Sequence, residues 1–526
     1  MKIFVADRIA EEGIDYLEQQ TGVDVDFSPD LDATGVSEHI HDCDAVIIRS
    51  ATTLSSTILD KAAMLRVIGR AGIGVDNIDI EAATERGVVV LNTPDANATT
   101  TAELAIAHML SLARHLPFAN QSVRSKKWER QQFIGAELAN KTLGIIGFGT
   151  IGRIVAQLAR GLGMRVIAHD PYVTDEVFAE LGVQHDELDD LLQRADIVTL
   201  HCPLVDKTRH LLNRETLQQM KPGSRLINCA RGGLVDEAAL YDALESGHIA
   251  GAALDVFETE PPLNSPLLEL DNIVFTPHLG ASTEEAQTAV GVEIAKQIMT
   301  FLKTGEAINA VNMPRIPADV RSRLRPWQKL AHDLGRILAL MSSAAIDHLE
   351  VNLQGEVVDI DCRPVAIEAL VGLLGEYLSV PVNQVNATHL AKRQGLEWTE
   401  SRSSETRGYL SVVSLTVHSG KEAITLAGTL FDERHPRLIG INAYRIEAPL
   451  SGNLVFTRHA DQPGVIGAIG SVLGGAGINI SHMEVGNAEG SDVAVAVIGI
   501  SSLLDEQTLH SIRSVPSINK VLQVTL

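Results

Sequence analysis

Residues 142–170 read TLGIIGFGTIGRIVAQLARGLGMRVIAHD. The apolar run over residues 143–146 predicts a buried strand. It breaks into Gly147-Phe148-Gly149-Thr150-Ile151-Gly152, and a helix follows to about residue 163. A second apolar strand then stops at Asp170. The first glycine allows a tight turn, the second lets a pyrophosphate lie against bare backbone, and the third brings helix and strand close. The helix N-terminus turns unpaired N–H groups toward the phosphates. Asp170 stands 18 residues beyond Gly152, near the spacing of about 20 expected of a carboxylate that grips a ribose 2′-OH. A glycine-rich turn alone is often only a turn. Strand, glycines, helix, strand and terminal acid in this order predict dinucleotide binding. Asp170 is followed by Pro171 and Tyr172 rather than by an Arg able to hold a 2′-phosphate, so NAD is favoured over NADP.

The chain has 526 residues, room for three or four domains at about 100–200 residues each. It is 45% hydrophobic and 21% charged, the balance of an ordinary globular protein. A net charge of -24 argues against a general nucleic-acid or anionic-membrane binder, and an anionic substrate would need local arginines. Cys43, Cys202, Cys229 and Cys362 are scattered without a C-x-x-C pair. This argues against a disulfide framework or a metal site and fits a reducing compartment. The N-terminus turns acidic early and has no signal-peptide core. No apolar run reaches the ~18 residues of a membrane span. The expectation is a soluble, cytoplasmic protein.

Residues 1–95 alternate amphipathic helices with short apolar strands, expected at 2–6, 45–49, 66–70 and 88–92. Such alternation predicts a parallel sheet whose ligands gather at the carboxyl ends of the strands. Those ends read Arg49-Ser50-Ala51-Thr52, Arg70-Ala71-Gly72-Ile73-Gly74-Val75-Asp76 and Asn92-Thr93-Pro94. Either arginine alone reads equally well as a solvated strand-end charge. Together, beside glycines that expose backbone N–H groups, Arg49 and Arg70 form a candidate anion rim. Thr100 and Glu103 have capping-box spacing at the head of a helix running to about residue 116. A charged connector with Trp128 and Arg130 then leads to the glycine motif. Trp128 either packs at a domain edge or reaches a neighbouring subunit.

Beyond Asp170, strands are expected at 197–201, 225–228, 252–256 and 273–276. They end in Cys202-Pro203, Cys229-Ala230-Arg231-Gly232-Gly233, Asp255 and His278. Ser282 and Glu285 have capping-box spacing for the next helix. Residues 309–314 read as an exit strand and linker. From residue 316 to about 448 there is no phosphate loop. The expectation there is an amphipathic helix over 327–341, another around 365–378 and strand-like segments. Arg321, Arg323, Arg325, Lys392, Arg393, Arg402 and Arg407 read as a solvated basic face more readily than as a site. In the last stretch, strands at 454–459, 478–485, 493–500 and 520–525 alternate with helices at 464–475 and 506–515. The order βαββαβ predicts a ferredoxin-like sandwich with sheet edges open to another copy.

A nicotinamide enzyme that oxidises an alcohol needs a base for the hydroxyl proton, and histidine suits this near neutral pH. A neighbouring carboxylate stabilises the imidazolium that forms. A guanidinium clamps a substrate carboxylate and its neighbouring oxygen. The strand ends after the nucleotide motif offer His278, Glu260 and Arg231 for these roles, with His201 and Glu258 as competitors. A buried structural histidine is the alternative reading of His278.

The blocks Asn228-Cys229-Ala230-Arg231-Gly232-Gly233, Ala253-Leu254-Asp255-Val256-Phe257-Glu258-Thr259-Glu260-Pro261-Pro262 and Thr276-Pro277-His278-Leu279-Gly280-Ala281 resemble the catalytic blocks of the D-2-hydroxyacid dehydrogenases. The resemblance implies that Arg231 binds the substrate carboxylate, Glu260 tunes the base and His278 shuttles the proton. It also implies NAD as cofactor, held by Gly147, Gly149, Thr150, Ile151, Gly152, Asp170, Cys202, Cys229, Ala230, Arg231, Asp255, His278, Leu279, Gly280 and Ala281. One departure is Ile73, where some relatives place a threonine beside the cofactor.

Within that family the two arginine rims, with Trp128-Glu129-Arg130, resemble the members that act on 3-phosphoglycerate. They imply substrate contacts from Arg49, Ser50, Arg70 and Gly72, with Arg130 contributed by a neighbouring subunit. The implied fold is α/β. A doubly wound parallel-sheet (Rossmann) NAD-binding domain, residues 98–278, is inserted in a flavodoxin-like substrate domain, residues 1–97 and 279–313. An α+β intervening substrate- or effector-binding domain, residues 314–450, and a ferredoxin-like ACT regulatory domain, residues 452–526, complete the chain. The implied reaction oxidises 3-phosphoglycerate to 3-phosphooxypyruvate and opens L-serine biosynthesis, with reduction of 2-oxoglutarate as a side activity seen in the group. Feedback by L-serine would use His459, Asp461, Gly464 and Asn479 between paired ACT edges of a homo-oligomer, a dimer or tetramer. Asp461 and Asn479 read alternatively as turn caps. Two other functions stay open: a glyoxylate or hydroxypyruvate reductase, and a non-enzymatic NAD-sensing scaffold.

Overall fold

The computed structural model describes every residue except Arg315, Pro317, Ile360, Asp361 and Arg407, and not the side chains of Ala318, Asp319 and Asp359. Arg407, counted above in the basic face, thus lies outside the described residues. Four sheets organise the described residues. The first contains β1 (Lys2–Val5), β2 (Asp24–Phe27), β3 (Ala45–Ile48), β4 (Val67–Arg70) and β5 (Val89–Asn92), in the order β2-β1-β3-β4-β5. β3 is Ala-Val-Ile-Ile and wholly buried, the continuous apolar run of a strand covered on both faces.

The second sheet contains β6 (Thr142–Ile146), β7 (Arg165–His169), β8 (Gln184–His185), β9 (Ile197–Leu200), β10 (Ser224–Asn228), β11 (Ile249–Leu254) and β12 (Ile273–Phe275). Its pairs are all parallel and its order is β12-β11-β10-β9-β6-β7-β8. The order reverses between β6 and β9, which places a ligand crevice at their carboxyl ends. Alternate residues feed two cores. Leu143, Ile145, Val166 and Ile197 pack with the helices Ala98–Arg114 and Thr150–Gly161. Ile146, Ile167, Val198 and Leu200 pack on the opposite face. The sheet is therefore doubly wound.

The third sheet contains β13 (His348–Gly355), β14 (Glu397–Ser403), β15 (Ser411–Ser419), β16 (Glu422–Phe431), β17 (His435–Ile441) and β18 (Tyr444–Pro449), in the order β14-β13-β15-β16-β17-β18. Only the β13/β14 pair is parallel. The helices Ala318–Met341 and Arg363–Gly375 share its core. The fourth sheet contains β19 (Asn453–Ala460), β20 (Ile480–Asn487), β21 (Val493–Ile500) and β22 (Ile518–Thr525) in the order β20-β21-β19-β22, antiparallel throughout, the ferredoxin-like arrangement. One face packs on its own helices, Val465–Gly475 and Glu506–Arg513. Leu454, Phe456, Val495, Val497 and Val524 join the core of the third sheet and its helices.

Contacts group the chain into two compact units. One comprises Met1–Thr52, Gly69–Val75 and Leu91–Asn309, and the other Thr53–Ile68, Asp76–Val90 and Ala310–Leu526. Among the described residues no helix is long and apolar enough to cross a membrane.

Several local expectations need correction. β2 is absent from the sequence reading because Asp-Val-Asp-Phe is a polar, half-exposed edge strand without an apolar run. The helix Ala98–Arg114 starts after Asn97, so Thr100 and Glu103 lie inside it and form no capping box. It ends at His115, whose φ of 50° is left-handed, and a separate helix, Leu116–Arg124, begins with Pro117 in its first turn. Residues 309–314 form no strand, although Val311 N–H donates to Val90 O at 2.8 Å.

The helix Glu284–Thr304 is capped by Thr283, not Ser282. The Thr283 hydroxyl accepts from Ala286 N–H at 3.2 Å. Thr283→Ala should therefore lower stability by about 1 kcal/mol in chemical denaturation, with Ser282→Ala well below that. Equal losses would remove the cap assignment.

Candidate active site

Three neighbouring strand ends of the second sheet build the site. Beyond β10, the Asn228 side chain folds the chain into a turn. Its Nδ2 donates to Arg231 O at 2.8 Å and its Oδ1 accepts from Ala230 N–H at 3.0 Å. This turn carries Arg231. Beyond β11, Phe257 N–H donates to Glu260 Oε1 at 3.1 Å, and Glu258 N–H donates to Glu237 Oε1 at 2.7 Å. Those bonds shape the loop that carries Glu260. Beyond β12, His278 has a φ of 55°, and its N–H donates to Asp255 O at 2.9 Å.

His278 Nδ1 stands 2.7 Å from Glu260 Oε2. Burial raises the Glu260 carboxyl, but hydrogen bonding and charge from His278, the Phe257 N–H and the Arg231 charge outweigh it and hold Glu260 below its usual range. The three catalytic candidates thus share one electrostatic neighbourhood. The competitors are engaged elsewhere. His201 Nε2 lies 2.9 Å from Thr199 Oγ1, and its Nδ1 is buried with no hydrogen-bond partner among the described residues. Glu258 lies 3.2 Å from His210 Nε2 and accepts from Glu237 N–H.

The glycine motif fits a dinucleotide. Gly147 has a φ of 94°, and a Cβ there would meet Cys202 N at 2.5 Å. A Cβ on Gly149 would face open space, which leaves room for a ligand, whereas one on Gly152 would lie 2.2 Å from Gly147 O. Both Asp170 oxygens are fixed, accepting from Phe148 N–H at 2.8 Å and Tyr172 N–H at 3.0 Å. Thr150 opens the helix, and its hydroxyl lies 3.3 Å from Asp95. Ile151, Cys202, Ala230 and Ala281 are half-buried, Leu279 is exposed, and Cys229 and Gly280 are buried. Asp255, grouped above with the cofactor contacts, is wholly buried. Its carboxylate accepts from Thr276 Oγ1, Leu279 N–H and Gly280 N–H, so it holds the His278 loop.

On the rim of the first sheet, Ser50 is exposed and Arg49 half-buried. Arg70 folds over Gly72, whose φ is 141°. A Cβ on Gly72 would lie 1.6 Å from Arg70 Nη1 and displace the guanidinium. Arg130 is exposed on the turn Arg130–Phe133, and Trp128 is 78% exposed, which excludes packing within the protomer. Sequence reading missed Asp7, the acid at the end of β1, which accepts hydrogen bonds from the Arg49–Thr52 loop. Its position at a strand end on the same rim was the available signal.

In the fourth sheet Asp461 and Asn479 are exposed, and Gly464 precedes the helix Val465–Gly475 with a φ of 93°. His459 does not join them. It is 2% exposed and its Nδ1 lies 3.1 Å from Ala494 O, so burial between strands removes it from an effector surface.

Three families match the chain in order. Residues 106–280 match the D-isomer specific 2-hydroxyacid dehydrogenase NAD binding domain, 323–442 the D-3-phosphoglycerate dehydrogenase intervening domain, and 453–513 the ACT domain. D-3-phosphoglycerate dehydrogenase of Methanocaldococcus jannaschii is 40% identical over 532 residues, covering 100% of both chains. The Bacillus subtilis enzyme of the same name is 37% identical, covering 100% of this chain and 99% of its own. The chain belongs to the D-3-phosphoglycerate dehydrogenase family.

Its dehydrogenase part also resembles solved structures. E. coli D-lactate dehydrogenase is 30% identical with a TM-score of 0.53, covering 59% of this chain and all of its own. A glyoxylate reductase from Paecilomyes thermophila is 29% identical with a TM-score of 0.56, covering 59% and 98%. The protein is an NAD-dependent D-2-hydroxyacid dehydrogenase with an intervening domain and an ACT domain.

Burial pushes the His201 imidazole down to about 4. An unfolded histidine takes up a proton below about 6.5, so the folded state binds fewer protons and loses stability as pH falls from about 6.5 toward 4. Tm should drop between pH 7 and pH 5 in the wild type, and less in His201→Gln. Equal drops would refute a neutral, buried His201.

Proposed function

We propose that the chain oxidises 3-phosphoglycerate to 3-phosphooxypyruvate with NAD, the step that opens L-serine biosynthesis. What carries this reading is the His278–Glu260 pair beside Arg231, in a chain matched end to end by D-3-phosphoglycerate dehydrogenases. Arg231 clamps the substrate carboxylate and the adjacent oxygen. With Nδ1 of His278 directed at Glu260, Nε2 is left to take the hydroxyl proton, and Glu260 stabilises the resulting imidazolium. Bound NAD would supply the hydride acceptor for the carbinol carbon. Glycines 147, 149 and 152, Thr150, Ile151 and Asp170 are the residues to hold it. Arg49 and Arg70 neutralise the substrate phosphate.

The domain division that fits this reading is residues 1–97 with 279–313, 98–278, 314–450 and 452–526. The ACT domain is proposed to bind L-serine through Asp461, Gly464 and Asn479 where β20 edges of two copies of a homo-oligomer meet. Arg130 is then available to a neighbouring copy. Four cysteines without a disulfide support a reducing, cytoplasmic setting.

The test follows NADH consumption with 3-phosphooxypyruvate, hydroxypyruvate and glyoxylate, each with and without L-serine. Preference for 3-phosphooxypyruvate and inhibition by serine are expected; a preference for glyoxylate would sink the substrate assignment. His278→Ala should lower kcat by about 10²–10⁴-fold while NAD binding, read by fluorescence titration, persists. Unchanged turnover would remove the proton-shuttle role. Arg49→Ala should raise KM for 3-phosphooxypyruvate by about tenfold, and far less for hydroxypyruvate. Equal rises would remove the phosphate assignment.

A further inference from the structure

Asp7 lies two residues beyond β1 and is 4% exposed. A carboxylate so deeply buried needs donors around it, and a single loop supplies them. Its Oδ2 accepts from Arg49 N–H at 2.5 Å and from Thr52 N–H at 3.2 Å, and its Oδ1 accepts from the Thr52 hydroxyl at 2.6 Å. Two backbone N–H groups three residues apart therefore converge on one oxygen. That arches Arg49-Ser50-Ala51-Thr52 over the end of β1. Thr52 is itself 6% exposed and closes the arch from below.

The residue after Asp7 holds the other end of the arginine. Arg49 Nη1 donates to Arg8 O at 3.2 Å. The Asp7-Arg8 dipeptide thus fixes the arginine at its backbone and at its guanidinium. The long, flexible stem between would otherwise sample many rotamers, with a side-chain entropy cost on ordering. Preorganised groups meet a ligand without that loss. Arg8 is tied in turn by its ion pair with Asp30.

We infer that Asp7 is the positioning residue of the substrate-anion rim: it sets the Arg49–Thr52 arch and thereby the place where the Arg49 guanidinium meets the anionic group distal to the reacting carbon. It touches neither substrate nor cofactor. The inference rests on the phosphate role proposed for Arg49. The chemistry also predicts how substitutions rank. In Asp7→Asn the amide oxygen can accept both backbone N–H groups, and the amide nitrogen can donate to the Thr52 hydroxyl, which then becomes the acceptor. The arch survives and only the charge is lost. Asp7→Ala strands two N–H groups and a hydroxyl in a buried site.

Steady-state kinetics on the full-length enzyme test this with 3-phosphooxypyruvate and hydroxypyruvate in parallel. Asp7→Ala should raise KM for the phosphorylated substrate by about tenfold with a kcat change within about threefold, and Asp7→Asn should restore most of that loss. Thr52→Val, which removes only the hydroxyl contact at similar volume, should raise the same KM by about two- to fivefold and keeps the question answerable if Asp7→Ala does not fold. Arg49→Ala, assayed alongside, separates the two ideas. If Arg49→Ala raises that KM while Asp7→Ala and Thr52→Val leave it unchanged, the positioning role is overturned alone. If Arg49→Ala also leaves it unchanged, the phosphate reading falls first. Equal KM rises for both substrates in Asp7→Ala, or an Asn variant as impaired as the Ala variant, would also overturn the positioning role.

Discussion

The Asp255 carboxylate, sealed at the end of β11, accepts from the Thr276 hydroxyl at 2.5 Å, from Leu279 N–H at 2.7 Å and from Gly280 N–H at 2.8 Å, while its backbone oxygen accepts from His278 N–H at 2.9 Å. Four donors from one five-residue stretch converge on one residue. Between them the backbone of His278 is held at a φ of 55°, a left-handed state uncommon for a non-glycine residue. Since the Thr276 hydroxyl donates to Asp255, it accepts from His108, whose Nε2 lies 2.9 Å away. Burial lowers the proton affinity of His108. The placement of His278 beside Glu260 therefore depends on the buried Asp255 carboxylate.

The same economy of placement explains how an acidic protein can attract an anionic substrate. A charge of -24 spread over the surface is screened beyond about 8 Å at physiological salt. Under the proposed function, what an anion meets inside that distance is set by Arg49, Arg70 and Arg231, each at or just beyond a strand end. Parallel sheets deliver such residues to one edge because every strand runs the same way.

Much of this was legible in the chain itself. The glycine run with its flanking strands and Asp170 carries the second sheet, since turn chemistry and hydrophobic period agree there. The order of the last six elements carries the fourth sheet. The three catalytic candidates were legible because each lies beyond an apolar run. What escaped reading depends on distant partners. Asp7 is meaningful only beside Arg49, 42 residues away. His115 breaks a helix by entering a left-handed conformation that its neighbours do not announce. Ser282 and Thr283 compete for one cap, and the structure gives it to Thr283. His459 lies in a strand whose neighbours bury it. The third sheet was opaque because its one parallel pair, β13 with β14, joins segments separated by two helices.

The fourth sheet has two greasy faces. One is covered by its own helices, and the other, through Leu454, Phe456, Val495, Val497 and Val524, is dissolved into the interior of the intervening domain. The Arg336 guanidinium and the Lys520 ammonium stitch the seam, donating to Thr525 O and Met341 O respectively. The regulatory sheet is thus not a detachable cassette. Evolution or an engineer grafting it elsewhere would have to carry the preceding domain along, or repaint five apolar positions with polar ones. Gene fusion at Gly452 would break the chain at an exposed bend yet leave the shared interior uncovered.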